Sequence, residues 1–227
     1  MNKLIETLQH KNLAWHGAPI NASFETESTG FKLMDERLGG GFLKTGVIEV
    51  LCDIGIGEFR FLLSSMKGSQ SEDKLIVLIS PPGEINASMM VEQGIELSKI
   101  LILTPKSHKN RLWAAEQCLK NGVCHSVLMW NDEPLEIHQI KRLQIASAEG
   151  GGRQFIFRQF KAEGISLPVD LSFKLSANPM GLNVKINKRK RGWPSEEFSI
   201  DMSEQWPSLV IKEKLSNVIS LQQVKAV

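Results

Sequence analysis

The sequence predicts a three-layer α/β/α fold with a mainly parallel central sheet and a C-terminal antiparallel hairpin. Three observations carry that expectation. From Ser28 to Arg158, short unbroken apolar runs alternate with amphipathic stretches, the pattern of strands buried on both faces beneath helices. Gly and Pro punctuate nearly every junction between them. After about residue 165 the helical stretches stop, and "VDLSFKLSA" and "LNVKINK" stand on either side of "NPMG", a hairpin signal with Gly181 in the turn.

Taken in order, residues 1–27 read as an arm, with "LIETLQ" as a short helix and "AWHGAPINAS" as extended or turn structure. A core then runs over 28–192, and 193–227 form a tail. "STGFKLMDERL" places Phe31, Met34 and Leu38 at spacings of three and four, which predicts a helix capped by Ser28 or Thr29. "GGGF" is a turn, "GVIEVL" a strand and "EFRFLLSSM" a helix. "KLIVLIS" is a strand stopped by Pro81 and Pro82, and "EINASMMVEQG" a helix ended by Gly94. After the strand "ILIL", the helix "KNRLWAAEQCLKNG" puts Leu112, Ala115 and Leu119 on one face, with Gly122 as its stop. Trp113 and the Met89–Met90 pair read as core or helix-facing. "HSVLMW" is a strand, "EPLEIHQIKRLQIASAEGG" a helix with Pro134 in its first turn, and "RQFIFR" a strand.

Composition narrows the function. The chain has 227 residues, 42% hydrophobic and 23% charged, with a net charge of +2. That is ordinary globular composition, and any nucleic-acid role has to come from a local cluster. Cys52, Cys118 and Cys124 are odd in number and lack CxxC spacing, which argues against a disulfide framework and a zinc site. "MNKLIETLQH" has no signal-peptide core, and no apolar run approaches the ~20 residues that cross a bilayer. The expectation is a cytoplasmic protein with no metal and no membrane partner.

One stretch points to a lost chemistry. "CDIGIGEFR", residues 52–60, lies between a strand and a helix, where a P-loop would cradle phosphates on backbone amides, with Lys neutralising charge and a hydroxyl holding magnesium. Gly57 stands at the last glycine position and Gly55 adds flexibility, but Glu58 replaces the Lys and Phe59 the hydroxyl. Two unit charges ~4 Å apart at an effective dielectric of ~20 interact by about 4 kcal/mol, so Glu58 turns an attraction for phosphate into a repulsion. An acid in the first turn of a helix is, by contrast, favourable by ~0.3–1 kcal/mol. Where an ATPase needs an acid after "SVLM" there is Trp130, then Asn131, with Asp132 late. Pro81 and Pro82 stand where a catalytic carboxylate would follow "LIVLIS", and Glu84 falls at a helix start. No catalytic residue and no cofactor are expected.

These residues resemble a family. "STGFKLMDERLGGG", "GVIEV" and the turn with Gly57 resemble the start of the RecA ATPase core, and "GLNVKINKRKRG" followed by "EFSI" resembles its end. "GIGEFRFLL", "SPPGEI", "LWAAEQCLKNG", "SVLMWNDE" and "IKRLQIASAEGGGRQFIFR" resemble ImuA, the RecA-like protein associated with translesion synthesis, and also SulA, the SOS cell-division inhibitor. "AWHG" at 14–17 is similar to a motif near the ImuA N-terminus. The likeness covers residues 14–192. SulA proteins are shorter and generally lack the "STGF…LGGG" opening and the basic C-terminal strand, so ImuA is favoured. This resemblance implies a non-catalytic adaptor in SOS-induced mutagenesis. Its partners would be an ImuB-type relative of Y-family polymerases, RecA by kinship and, indirectly, an error-prone C-family DNA polymerase. A SulA-like inhibitor of FtsZ assembly and an ATPase with an atypical site are the alternatives.

"VKINKRKRGW" gathers Lys185, Lys188, Arg189, Lys190 and Arg191 ahead of Trp193. It reads as a solvated strand end, as a weak DNA-backbone contact with Trp193 as a stacking face, or, by resemblance, as the strand whose lysines (here Lys188 and Lys190) reach a neighbour's nucleotide in RecA-type filaments. In the tail, Phe198, Trp206, Leu209 and Ile211 are candidate partner anchors, with packing back on the core as extra strands the open alternative.

Overall fold

A computed structural model describes residues 25–67, 73–159, 166–190 and 192–209. The helix expected in "LIETLQ", Arg191 and Ile211 lie outside the described residues. The order of elements is β1 (Thr26–Glu27), α1 (Lys32–Leu38), β2 (Phe42–Leu43), β3 (Gly46–Leu51), α2 (Glu58–Leu63, continued by a 3-10 turn Ser64–Met66), β4 (Leu75–Ile79) and α3 (Ala87–Glu92). Then come β5 (Ile100–Leu103), α4 (His108–Lys120), β6 (Cys124–Trp130), α5 (Ile137–Gly150), β7 (Arg153–Arg158), β8 (Leu171–Asn178), β9 (Gly181–Arg189) and β10 (Phe198–Asp201).

Eight strands form one sheet in the order β10-β9-β8-β3-β7-β6-β4-β5. β3 runs parallel to β7 and β8, β6 to β7 and β4, and β4 to β5, while β9 and β10 are antiparallel to their neighbours. The expected class is therefore the observed one. Successive residues of β3 point to opposite faces: Ile48 and Val50 join a core with Met34, Phe42, Phe61 and Phe173, and Val47 joins one with Ala115, Leu119 and Ile140. All seven residues of β6 are buried, which is why "CHSVLMW" shows no polar alternation.

Four local readings change. β1 and β2 pair as a small separate sheet, Glu27 opposite Phe42, so the arm boundary at 27 and the turn over "GGGF" both cut through structure. Gly41, at φ 107°, makes this possible, because a Cβ there would lie 2.1 Å from the Glu27 carbonyl oxygen. Ser28 and Thr29 do not cap α1 directly: its N-cap is Phe31, and the hydroxyls of both donate to the carboxylate of Asp35. Glu84 precedes α3, whose N-cap is Asn86 with its side chain accepting from the Met89 N–H at 3.0 Å. Pro134 likewise stands ahead of α5, which opens with a reciprocal Glu136–Gln139 capping box.

The tail belongs to the sheet as far as it is described. β10 pairs with β9 through Phe198↔Val184 to Asp201↔Gly181, so the sheet continues past 192. Phe198, Ile200, Met202 and Trp206 are all at most 8% exposed. Packing of these isolated apolars explains them without a partner. Met90 is buried as expected, whereas Trp113 is 60% exposed and not in the core.

Candidate functional site

The turn after β3 lies between a strand and a helix, where a phosphate loop would stand, and closes on itself. Gly55 holds φ 88° and Gly57 φ 107°, left-handed conformations that turn consecutive amides toward one point. The Glu58 carboxylate occupies that point. The Gly55 N–H donates to both of its oxygens at 3.2 Å, and the Gly57 N–H donates to Oε2 at 3.1 Å. Glu58 is 5% exposed. Its carboxylate thus takes the hydrogen bonds that a phosphate oxygen would take. Glu58, expected from the sequence to repel phosphate from the Lys position or to complement the helix dipole, is instead the occupant of the loop.

The neighbouring substitutions fill the remaining space. Trp130 stacks on Phe157 at 4.6 Å between ring centroids and 11° between planes, and the Phe59 ring lies 6.1 Å from Trp130. The residues at the hydroxyl and acid positions therefore meet as one aromatic cluster. Asp132, the late carboxylate, pairs with Arg111 at 3.1 Å. Arg60 lies over the Trp206 ring at 5.9 Å, and its guanidinium is the nearest group to Gly57's missing Cβ. Cys52, at the first glycine position, is 3% exposed. Burial first, and then the charges of Glu58 and Asp53, push its thiol up to about 12, which favours the protonated thiol at neutral pH.

A cleft of about 170 Å³ remains beside the turn, lined by Cys52, Ile54, Ser80, Trp130, Asp132 and Arg158 among others. It lies at the carboxyl ends of β3, β4, β6 and β7, the edge where open α/β sheets bind ligands. The two cations lining it are already matched: Arg111 pairs with Asp132 and Glu133, and Arg158 donates to Glu49, whose other oxygen accepts from Ser172 at 2.7 Å. Among the described residues no cluster of His, Cys, Asp or Glu is arranged to hold a metal.

The basic strand end is less free than its sequence. Lys188 donates to the Leu167 carbonyl at 3.0 Å, Arg189 to the Arg37 carbonyl at 2.8 Å, and Lys190 pairs with the buried Asp170 at 2.9 Å. The Asp170 carboxyl is raised by burial but lowered more by Lys190, the Val47 amide and Gln144, and ends below the usual range. Lys188 and Lys190 thus each have an internal partner, Leu167 and Asp170, that ties this segment to the end of β9. Lys185 is exposed opposite Lys174, and Trp193 is 86% exposed. Of the tail anchors, Phe198 and Trp206 are buried and Leu209 is 53% exposed.

Sequence reasoning passed over one buried polar cluster. Arg153 is 0% exposed and pairs with Glu27, donates to the Ser65 carbonyl at 3.0 Å and to Ser126 Oγ at 3.1 Å, while His125 meets Glu27 at 3.0 Å. Burial raises the Glu27 carboxyl, and the His125 hydrogen bond together with the Arg153 charge lower it further than that, so the net shift is downward. The signal was an Arg at the head of a strand whose centre is apolar, "FIF" within "RQFIFR".

Comparison with known proteins gives a partial likeness. No protein-family model matches the chain. It is 30% identical to RecA of Mycoplasma pneumoniae over 119 residues, 51% of this chain and 35% of that protein. It is 28% identical to RecA of Mycoplasma genitalium over 122 residues, 53% of this chain and 36% of that one. The crystal structure of SulA from Pseudomonas aeruginosa matches at 26% identity over 49% of this chain and 97% of that chain, with a TM-score of 0.40. The chain is thus similar to RecA proteins over about half its length, and spans little more than a third of the length of those relatives.

Proposed function

We propose that this protein is a non-catalytic, RecA-like accessory factor of SOS-induced translesion synthesis, working through protein contacts with an ImuB-type partner and with RecA. One observation carries the non-catalytic half. The Glu58 carboxylate accepts from the Gly55 and Gly57 amides, so the loop's anion site is filled from within the chain, and a nucleotide phosphate would have to displace a tethered group of the same charge. Phe59 and Trp130 supply no metal ligand beside it. The likeness to RecA proteins over half the chain supports the RecA-related half, and the resemblance of the central segments to ImuA supports the choice of pathway.

The test is a paired measurement on the purified full-length chain. Titration calorimetry with Mg-ATP is expected to give no heat of binding. Pull-downs against RecA, an ImuB-type protein and FtsZ are expected to retain RecA or the ImuB-type protein, with or without ATP. Binding of ATP overturns the non-catalytic reading; retention of FtsZ alone overturns the translesion reading in favour of division inhibition.

A further inference from the structure

The three cysteines are all free thiols, but their settings differ. Cys52 stands at the start of the turn after β3. Cys118, in the last turn of α4, and Cys124, the first residue of β6, are brought together by the reversal at Asn121–Gly122, where the Gly122 N–H donates to the Leu119 carbonyl at 3.2 Å. The end of α5 closes on this reversal. A Cβ on Gly150 would lie 1.7 Å from the Leu119 carbonyl oxygen, and one on Gly152 would lie 2.3 Å from the Cys124 carbonyl oxygen. Backbone packed this closely holds both cysteines in place.

The two side chains meet, and they are not equivalent. Cys118 packs against the apolar cluster that contains Cys124, and the Cys124 S–H donates to the Cys118 sulfur. Cys118 is half-buried and reachable from solvent, whereas Cys124 is 1% exposed. The hydrogen bond from Cys124 brings the Cys118 thiol below its ordinary value, against burial, which raises it. The negative end of a helix disfavours a thiolate, so the Cys124 donor is what Cys118 depends on. The same bond, then burial and the charge of Cys118, push the Cys124 thiol up. An accessible, readily ionised thiol beside a buried, protonated one is the arrangement in which the first is oxidised and the second resolves it.

We infer that Cys118 and Cys124 are a peroxide-reactive pair that closes to a reversible disulfide. The Cys118 thiolate attacks one oxygen of hydrogen peroxide. The O–O bond breaks, and the departing hydroxide takes up the proton that Cys118 had released and leaves as water. Cys118 is then a sulfenic acid and no longer carries the charge that helped to hold the Cys124 proton. The Cys124 sulfur attacks the Cys118 sulfur, the S–S bond forms, and the displaced hydroxyl leaves with the Cys124 proton as a second water. Two thiols and one hydrogen peroxide thus become one disulfide and two waters, the two electrons passing from sulfur to the O–O bond. A dithiol reductant returns both thiols by exchange. Cys52 is the internal control: it is 3% exposed, its thiol is pushed up by burial and by two carboxylates, and it is expected to stay a thiol.

The test counts thiols on the full-length chain. The reduced protein is treated with hydrogen peroxide, then unfolded in N-ethylmaleimide and weighed by mass spectrometry. It is expected to take up one maleimide, where the untreated chain with its three cysteines takes up three, and digestion is expected to give a peptide pair linked through Cys118 and Cys124. Dithiothreitol added before the maleimide should restore the count to three. Cys124→Ser removes the resolving sulfur, so peroxide should stop at a Cys118 sulfenic acid that dimedone captures. Cys118→Ser should give no dimedone adduct and keep both remaining thiols. Three maleimides after a peroxide dose that fully oxidises free glutathione overturn the proposal, and so does a disulfide that includes Cys52 or joins two chains. Should either variant fail to fold, the maleimide count and the linked peptide of the wild-type chain decide by themselves.

Discussion

Glu58→Ala tests the self-occupied loop most directly. The substitution removes the acceptor of the Gly55 and Gly57 amides and leaves the φ values of both glycines with nothing to hold them. The Gly57 amide bond to Glu58 is buried, whereas that of Gly55 is partly buried, so water can replace the carboxylate at Gly55 more readily than at Gly57. Leaving one buried donor unsatisfied costs about 1–3 kcal/mol. For a chain of this size each kcal/mol shifts Tm by about 2–4 °C, so a fall of about 2–12 °C is expected. Glu58→Gln keeps one acceptor oxygen but brings an NH2 against the same amides, and should fall between Ala and wild type. Urea unfolding followed by tryptophan fluorescence gives the free energies, because Trp130 lies 6.1 Å from the Phe59 ring next to the turn. If Glu58→Ala is as stable as wild type within about 0.5 kcal/mol, the usual scatter of surface substitutions, the carboxylate is not the structural occupant of the loop and the reasoning fails.

Removing Arg153 as Arg153→Met leaves Glu27 partly buried without its cation, at a cost of about 3–5 kcal/mol; the double variant with Glu27→Gln should recover part of that loss in denaturation midpoints. Glu27 has a folded pKa below its ordinary 4.5, so its contribution is complete above the unfolded value and is lost as pH falls through the depressed one. Unfolding midpoints measured from neutral pH into that acid range should decline, and Glu27→Gln should flatten the decline. Phe198→Ala should cost about 3–5 kcal/mol, the range for a buried Phe, whereas Leu209→Ala at 53% exposure should stay within about 0.5 kcal/mol; thermal melts of the two separate a packed tail from a free one.

The parallel layers were legible because their signal is local. Unbroken runs such as "LIVLI" and "SVLMW" have one solution when separated by helix-length segments, and each became a buried strand. The hairpin was legible for the same reason. β10 was legible only as one of two alternatives, extra strand or partner anchor, since "FSID" is only four residues long and its pairing with β9 is decided by Phe198 and Ile200 reaching a core built elsewhere in the chain. β1 was hidden more deeply: two residues, Thr26 and Glu27, held by a long-range ion pair to Arg153 that no periodicity announces. At the site, the loss of Lys and hydroxyl was readable residue by residue. That the replacing Glu58 turns back three positions to Gly55 was not, because a first-turn carboxylate reads equally well as a helix-dipole partner.

The three substitutions at the loop are therefore not three independent losses. Glu58 satisfies amides that would otherwise need an anion, and Phe59 packs on the Trp130–Phe157 stack where a hydroxyl and an acid would need a metal between them. Each replacement makes another tolerable. Restoring one position alone works against the rest: Glu58→Lys would set an ammonium against N–H donors with no phosphate present, and Trp130→Asp would set a carboxylate against Phe59 and Phe157, beside Arg111 and Arg158 that already have carboxylate partners. Residues in contact of this kind couple by about 0.5–3 kcal/mol. If the loop is closed in this way, nucleotide binding is expected only when Glu58, Phe59 and Trp130 are changed together, and the single changes should read as losses of stability with no gain of ATP binding.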